Sequence, residues 1–166
     1  MSTLQEAIDY VKNNAGKGVY CPCCEQFAKI YKRKLNSGMA ASLVWLVRTY
    51  LEKQNWIYVW KIAPKFILRS AEIGKLAHWE LAIQKTNEDD DSKRTSGLWK
   101  PTEKGIKFVR RRISVPSHVF LYDNHVQGFT NDLITIDDAL GNKFNYRELM
   151  QPTSIKRTPV KKKVKS

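Results

Sequence analysis

One stretch of sequence decides the fold in the middle of this chain: Leu98-Trp99-Lys100-Pro101-Thr102-Glu103-Lys104-Gly105-Ile106-Lys107-Phe108. Residues 97–101 predict a strand, and Thr102 follows it with the side chain of a helix N-cap. Glu103 then places an acidic group in the first helical turn, where the helix dipole favours it. Gly105, in the same turn, allows a helix to pack close to a sheet because it has no Cβ. The stretch therefore predicts a strand that leads directly into a helix.

The elements predicted before this stretch follow the order helix, strand, two helices, strand and polar loop. Their limits come from apolar residues at helical or alternating spacing: a long helix over 37–54, a strand over 56–60, a short helix over 64–68, a helix capped by Ser70 over 70–79, a strand over 81–83 and a solvated loop over 85–96. With the strand and helix of residues 97–112, this is the element order of a winged helix-turn-helix.

The Leu98 to Phe108 stretch resembles the signature of strand, Thr-Glu-Lys-Gly and helix that follows the wing in bacterial regulators of the MarR and PadR kind. The resemblance implies that the helix over 70–79 enters the major groove of DNA and that the loop over 85–96 is the wing. The DNA contacts that it implies are Lys65, Arg69, Ser70, Lys75, His78, Lys93 and Arg94. Four consecutive acids, Glu88 to Asp91, depart from the pattern because phosphate would repel them. The alternative is a winged helix that binds protein.

The segments on either side of residues 37–112 complete the predicted fold. Before them, Thr3 and Glu6 predict a capping box, and residues 25–35 predict a basic helix with Phe27, Ile30 and Tyr31 on its buried side. After them, residues 119–129 predict a hairpin that turns at Asp123-Asn124, and residues 134–140 and 146–150 predict two short helices. We therefore expect an α+β fold that is mainly helical, in four parts: N-terminal helices with a cysteine turn over 1–36, a winged helix domain over 37–112, a β-hairpin and short helices packed on that core over 113–150, and a disordered basic tail over 151–166.

Net charge favours a polyanionic partner. The formal net charge is +13, and the six cations after Gln151 account for less than half of it. Because the excess extends into the body of the chain, we expect basic residues to contact nucleic acid phosphates. Outside the winged helix contacts, the candidates are Lys29, Lys32, Arg33, Lys34, Arg110, Arg111, Arg112, Lys161, Lys162 and Lys163. Residues 1–9 lack the apolar region of a secretion signal, and no apolar run of about 18 residues is present. We expect a cytoplasmic protein without membrane contact.

Three cysteines lie together, at Cys21, Cys23 and Cys24. Cys21 and Cys24 have the C-x2-C spacing with which a tight turn directs two thiolates at one zinc ion, and they are the candidate metal ligands. A structural zinc site needs four ligands, so either Cys23, or His118 and His125 from the hairpin, or the same cysteine pair from a second chain would have to complete it. The alternatives are a metal-free turn with reduced thiols and a redox dithiol.

Several strings outside the winged helix resemble a family of uncharacterised bacteriophage-encoded proteins. They are Tyr20-Cys21-Pro22-Cys23-Cys24-Glu25-Gln26, residues 31–40, Ser96-Gly97-Leu98-Trp99, Val115-Pro116 and residues 144–150. The resemblance implies a phage origin and action in the cytoplasm of a bacterial host, close to the nucleoid. It implies no particular activity.

Three functions are compatible with the sequence. The first is a non-enzymatic protein that binds double-stranded DNA as a transcriptional regulator or accessory factor, with a homodimer as one arrangement. The second is a protein-interaction module that inhibits a host enzyme or defence complex during host takeover. The third is a nuclease, which we disfavour because the motifs of known catalytic sites are missing. Trp56, Tyr58 and Trp60 also suggest stacking on single strands, but five consecutive bulky residues favour a buried strand.

Overall fold

A computed structural model of the chain describes residues 3–86 and 97–151. In chain order its elements are helix α1 (Leu4–Asn14), strands β1 (Val19–Tyr20), β2 (Phe27–Ala28) and β3 (Ile30–Lys34), helix α2 (Ser37–Lys53), strand β4 (Ile57–Tyr58), helices α3 (Val59–Ile62) and α4 (Lys65–Ser70), a 3₁₀ helix (Ile73–Trp79), strands β5 (Ala82–Gln84) and β6 (Leu98–Pro101), helix α5 (Glu103–Val109), strands β7 (Val115–Pro116), β8 (His118–Tyr122), β9 (His125–Phe129) and β10 (Leu133–Ile134), and helices α6 (Ile136–Leu140) and α7 (Tyr146–Leu149).

The described fold is α+β, as expected, and its strands pair in an antiparallel sense. Helix is more abundant than strand, although it covers less than half of the described residues. None of the helices within residues 3–86 and 97–151 has the length and apolar content that crossing a membrane requires. The chain forms two units that interleave in sequence: unit 1 contains residues up to 35 and residues 115–134, and unit 2 contains residues 36–114 and those from 135 onward.

A three-stranded sheet in the order β3-β8-β9 organises unit 1. In the central strand, Val119 and Leu121 are buried and the alternate residues are half-exposed. β8 and β9 form the predicted hairpin, in which Asp123 and Asn124 have φ angles of 48° and 65°. These are the left-handed values that a type I′ turn requires. The capping box of α1 is also confirmed, because the Thr3 hydroxyl accepts from the Glu6 N–H.

The basic segment after the cysteine turn is a strand, so the predicted helix over 25–35 is wrong. β3 pairs with β8 along its whole length. Lysine and arginine favour helices only weakly, and hydrogen bonding to a strand distant in sequence outweighs that preference. The predicted burial of two aromatic residues is wrong as well, since Phe27 is 53% exposed and Tyr31 is 48% exposed. Ile30 is half-buried.

Helix α2 is the centre of unit 2. All of its residues from 39 to 49 are buried, as expected for a helix surrounded by other elements. Asn36 caps its N-terminus by accepting from the Met39 N–H, and Gln54 ends it in a left-handed conformation, close to the predicted limits. The sheet of unit 2 has the order β4-β6-β5, so β6 pairs with both neighbours.

Two predicted elements between α2 and β5 are wrong. The strand expected over 56–60 stops at Tyr58, where the chain turns into α3. Ser70 does not cap the next helix, because it is the last residue of α4 and its hydroxyl donates to the Ile67 carbonyl. The next helix is a 3₁₀ helix, and its buried residues recur at every third position, at Ile73, Leu76 and Trp79. Three residues per turn is the period of this helix type.

The Leu98 to Phe108 stretch folds as predicted. The Thr102 hydroxyl accepts from the Gly105 N–H at 3.0 Å and donates to the Glu80 carbonyl at 2.6 Å. Lys104 Nζ donates to the Trp79 carbonyl at 2.9 Å. The first turn of α5 is therefore fixed on the segment that joins the 3₁₀ helix to β5. The two short helices are also confirmed as α6 and α7, with Gly141 ending the former.

Candidate nucleic-acid interface

Unit 2 presents three aromatic side chains with lysines against two of them. Trp56 is half-exposed, Tyr58 is 46% exposed and Trp60 is 58% exposed, whereas the intervening residues Ile57 and Val59 are buried. The interpretation of this stretch as a wholly buried strand is therefore wrong for Tyr58 and Trp60. Strand β4 accounts for the first pair, because successive side chains of a strand point to opposite sides, whereas Val59 and Trp60 belong to the first turn of helix α3.

Two ammonium groups lie over these rings. Lys100 Nζ is 4.7 Å from the centroid of the Trp56 ring, and Lys61 Nζ is 5.8 Å from that of Tyr58. Distances of this size allow cation–π attraction while the rest of each ring stays open to solvent. We call Trp56, Tyr58, Trp60, Lys61 and Lys100 the aromatic cluster. Exposed aromatic faces beside positive charges are the combination of groups that proteins binding single-stranded nucleic acid use.

Gly97 supports the rings of the aromatic cluster. Its φ angle is +75°, and a Cβ at this position would be 3.3 Å from Trp60 Cδ1 and 3.4 Å from Tyr58 Cε1. Its carbonyl also accepts from the Val59 N–H at 3.3 Å. The backbone of Gly97 thus fills the space beside both rings, and a side chain there would push against them.

The predicted DNA-reading segment of unit 2 has fewer available groups than the sequence suggested. Lys65 and Arg69 are exposed one turn apart on α4. Lys75 lies 3.2 Å from the Glu72 carboxylate, which neutralises its charge. His78 is half-buried in the 3₁₀ helix. The segment therefore offers Lys65 and Arg69 as its best-placed cations for phosphate, and the short 3₁₀ helix has little to read base edges.

A second surface with aromatic and basic side chains occurs on β3 in unit 1. Lys29 Nζ and Arg33 Cζ lie 5.5 Å and 6.0 Å from the centroid of the Tyr31 ring. Lys32 and Lys34, which alternate with these residues along the strand, are also exposed. β3 is an edge strand of its sheet, where lysines also discourage pairing with another chain. Three of the four predicted cations of this segment therefore lie on β3 and Lys29 directly precedes it, and protection of the sheet edge is the plainer explanation for them.

Of the three arginines after α5, Arg111 has a structural role. Its guanidinium donates to both carboxylate oxygens of Asp137, at 2.8 Å and 3.0 Å, and its Cζ lies 4.1 Å from the Tyr146 ring centroid. The bonds to Asp137 raise the pKa of Arg111 above its usual value. Arg110 and Arg112 are exposed. The Arg111 charge is therefore occupied within unit 2, and its predicted contact with phosphate would have to compete with Asp137.

Several predicted features lie outside the described residues. They are the wing cations Lys93 and Arg94, the acids Glu88 to Asp91, and the tail with Lys161, Lys162 and Lys163.

The cysteine turn is a tight loop that joins β1 to β2 in unit 1. The Cys21 N–H donates to the Gln26 carbonyl and the Glu25 N–H donates to the Cys21 carbonyl, both at 2.8 Å. The Cys23 N–H points at Cys21 Sγ, 3.4 Å away. Hydrogen bonds from the backbone N–H groups of Cys24 and Cys23, together with the Cys24 side chain, lower the pKa of the Cys21 thiol. The Cys21 thiol therefore loses its proton more readily than an ordinary cysteine does.

The predicted completion of a metal site by the hairpin histidines is not seen. Within the described residues, no group of three or more His, Cys, Asp and Glu side chains is placed to hold a metal ion. The two histidines also lie apart on the hairpin, because His125 pairs with Tyr122 beside the turn while His118 lies at the other end of β8. Among the described residues, the candidate metal ligands are therefore only the Cys21 and Cys24 pair of the turn.

One polar cluster was not expected from the sequence. Ser117 Oγ makes a short hydrogen bond to the Asp132 carboxylate and lies 2.7 Å from His118 Nδ1 and 3.2 Å from Thr130 Oγ1. In a serine-hydrolase triad the imidazole lies between hydroxyl and carboxylate. Here the hydroxyl lies between the other two groups, and Ser117 is only 4% exposed. The cluster therefore has the arrangement of a structural link. The signal that could have revealed it is the position of residue 117 opposite residues 130–132 at the base of the hairpin.

We expect this cluster to contribute stability that is lost in acid. Hydrogen bonds from Ser117 and then Thr130 lower the pKa of Asp132 below its ordinary value of 3.8. A carboxyl with a lowered folded-state pKa stabilises the fold above its unfolded pKa, and the contribution disappears as pH falls through the folded pKa. Urea unfolding of Asp132→Asn and wild type should therefore differ at neutral pH and converge well below pH 4. Curves that stay separated by the same amount at every pH would contradict this.

Comparisons with protein-family models, with curated proteins and with solved structures found no match for this chain. Its function is therefore inferred from the geometry above.

Proposed function

We propose that this chain is a nucleic-acid-binding protein and that unit 2 is a winged helix whose aromatic cluster contacts unpaired bases of DNA. The aromatic cluster carries the proposal, because Tyr58 and Trp60 are large and exposed, and lysines lie over the rings of Tyr58 and Trp56. Exposed apolar groups that lie together, rimmed by polar residues, often mark an interaction site. In the phage setting that the sequence suggests, such a protein would serve as a transcriptional regulator or a DNA-associated accessory factor.

The topology of unit 2 supports the winged helix. β5 and β6 pair as a hairpin, and β4 adds to β6 as a third strand. The loop that connects β5 and β6 would be the wing, and α3, α4 and the 3₁₀ helix would occupy the place of the helix-turn-helix. The 3₁₀ helix is a departure, since a duplex-reading helix normally presents several side chains to base edges. Because of this departure we propose DNA with unpaired bases as the ligand, in place of the double-stranded DNA that the sequence suggested.

Titration of a labelled oligothymidine and a labelled duplex tests the proposal. We expect the single strand to bind more tightly, with an affinity that falls steeply with salt because lysines displace counterions. Tyr58→Ala and Trp60→Ala should each weaken single-strand binding about 5- to 150-fold, corresponding to roughly 1–3 kcal/mol for each stacked base. Fluorescence anisotropy at several salt concentrations measures both effects.

Two sets of control variants locate the interface. Tyr10 on α1 is 48% exposed, which matches Tyr58, so Tyr10→Ala should leave DNA affinity unchanged. Lys65→Gln with Arg69→Gln tests the alternative in which the helix-turn-helix segment holds a duplex. If only that pair weakens binding and the duplex is preferred, the aromatic cluster is not the interface. No binding to either DNA at low salt rejects the proposal as a whole.

The second candidate function is a protein-interaction module. Unit 2 exposes two apolar side chains on consecutive helices, Ile62 at the end of α3 and Phe66 in α4, each at 41%, and Phe66 also contacts the ring of Phe144. These residues fit a hydrophobic partner surface, as an inhibitor of a host enzyme or defence complex would need. Capture from nuclease-treated host lysate should yield a stoichiometric partner that Phe66→Asp loses and Tyr58→Ala retains. The reverse pattern favours nucleic acid.

A further inference from the structure

Helix α1 leaves most of its apolar face uncovered. The helix is amphipathic, but Ala7 is its only buried residue. Leu4 is 68% exposed and Ile8 is 38% exposed. This face forms one wall of a groove of about 540 Å³ in unit 1, and the cysteine turn forms part of the opposite wall. An apolar helix face of this kind is normally covered by another surface.

The cysteine turn resembles half of a thiolate metal site. Cys21 and Cys24 are three residues apart in a tight loop, and the loop aims the Cys23 N–H at Cys21 Sγ. Glu25 follows with a φ angle of 63°, which reverses the chain immediately after the second thiol. Backbone donors to sulfur stabilise a thiolate, which is the form that binds metal. A structural zinc site nevertheless needs four ligands, and no third one converges on the pair among the described residues.

We propose that two copies of this chain share one Zn²⁺ ion, each contributing the thiolates of Cys21 and Cys24. A two-fold axis through the metal would supply four equivalent sulfur ligands in the tetrahedral arrangement that zinc prefers. The same contact would bring the two grooves together, so that the exposed face of α1 around Leu4 and Ile8 becomes buried in each copy. Four thiolates and one Zn²⁺ leave a net charge of −2, and Lys12, which lines the groove, places a positive charge near it.

Cobalt substitution with a mass measurement tests the shared site. The reduced, metal-free chain is titrated with Co²⁺ and then with Zn²⁺, in the absence of nucleic acid. We expect the thiolate charge-transfer and tetrahedral d–d absorption of a four-sulfur cobalt site, saturating at one metal for two chains, and loss of the absorption when zinc displaces cobalt. Analytical ultracentrifugation should show a dimer with metal and a monomer after chelation.

Matched variants separate the ligands from their surroundings. Cys21→Ser and Cys24→Ser should each abolish the absorption and the metal-dependent dimer, whereas Cys23→Ser should keep both. Leu4→Asp removes no ligand but should weaken dimerisation about 10-fold or more, because it places a charge in the apolar contact. Circular dichroism of each metal-free variant confirms that the fold is retained.

Three outcomes would overturn the proposal. They are the absence of cobalt absorption in the wild-type chain, saturation at one metal for each chain with a monomeric mass, and a dimer that chelation leaves unchanged. Loss of the metal in Cys23→Ser would overturn the ligand assignment. None of these results depends on DNA binding, so they leave the proposed function of unit 2 to its own test.

Discussion

Gly105→Ala is expected to destabilise unit 2 by about 3 kcal/mol or more, enough to leave it largely unfolded if its stability is ordinary. A Cβ at position 105 would lie 2.1 Å from the Leu81 carbonyl oxygen and 3.0 Å from the Leu81 carbonyl carbon. Both atoms are backbone, so no side chain can rotate away. The same oxygen accepts from the Thr102 N–H at 3.0 Å. Moving α5 outward to make room would therefore break the bonds that hold its first turn.

Urea unfolding followed by circular dichroism measures this effect. Gly74→Ala is the matched control, because a Cβ at position 74 meets nothing within 4 Å and the residue lies in the 3₁₀ helix. We expect that variant to be within about 0.5 kcal/mol of wild type, or slightly more stable because alanine restricts the unfolded chain. Equal stability of the two variants would show that α5 does not pack closely on Leu81.

The features that sequence predicted correctly are those fixed within a few residues. Thr102 and Gly105 lie three residues apart, and one turn of helix brings the hydroxyl of the first to the N–H of the second. The Asp123-Asn124 turn is equally local, because both residue types tolerate positive φ. Such features need no knowledge of the remaining chain, and this explains why the middle of unit 2 and the hairpin were predicted.

The wrong predictions concern elements whose type or limits depend on a partner distant in sequence or on an unusual backbone angle. β3 is a strand because β8 lies beside it, and no neighbour of Lys32 in the sequence indicates that partner. Ala71 adopts a left-handed φ of 51°, which alanine rarely does, so the end of α4 had no local signal. As a result the helix that follows was placed three residues too early.

The candidate interface likewise has features that the sequence indicates and others that depend on distant partners. Composition indicated an excess of basic side chains, but it did not indicate which of their charges are occupied by partners within the chain. The ion pair of Arg111 with Asp137 joins the segment after α5 to α6, and the order of charges along the sequence does not reveal it. For Tyr58 the usable signal was its position next to Ile57 in a strand, where side chains alternate between the two sides, but Trp60 lies in helix α3, to which that rule does not apply.

A second large effect is expected at Arg48, which lies within the buried stretch of α2 and is only 5% exposed. Its Nε donates to the carbonyl of Leu149, the last residue of α7, at 3.1 Å, and its Nη1 donates to Glu52 at the same distance. Arg48→Ala should lower the free energy of unfolding by about 2–4 kcal/mol, because it removes the packed stem, leaves a cavity and leaves the Leu149 carbonyl without its donor.

Arg48→Met separates these contributions. Methionine keeps an unbranched stem of similar length and loses only the guanidinium, and replacing a buried charge by an apolar group is often nearly neutral. We therefore expect Arg48→Met to lower the free energy of unfolding by about 1 kcal/mol, mainly through the lost bond to Leu149. Urea denaturation of both variants shows whether lost packing of the stem or the lost hydrogen bond accounts for most of the destabilisation. Equal destabilisation of the Met and Ala variants would show that the hydrogen bond from α2 to α7 accounts for most of the effect. An Ala variant as stable as wild type would show that Arg48 does not hold these helices together.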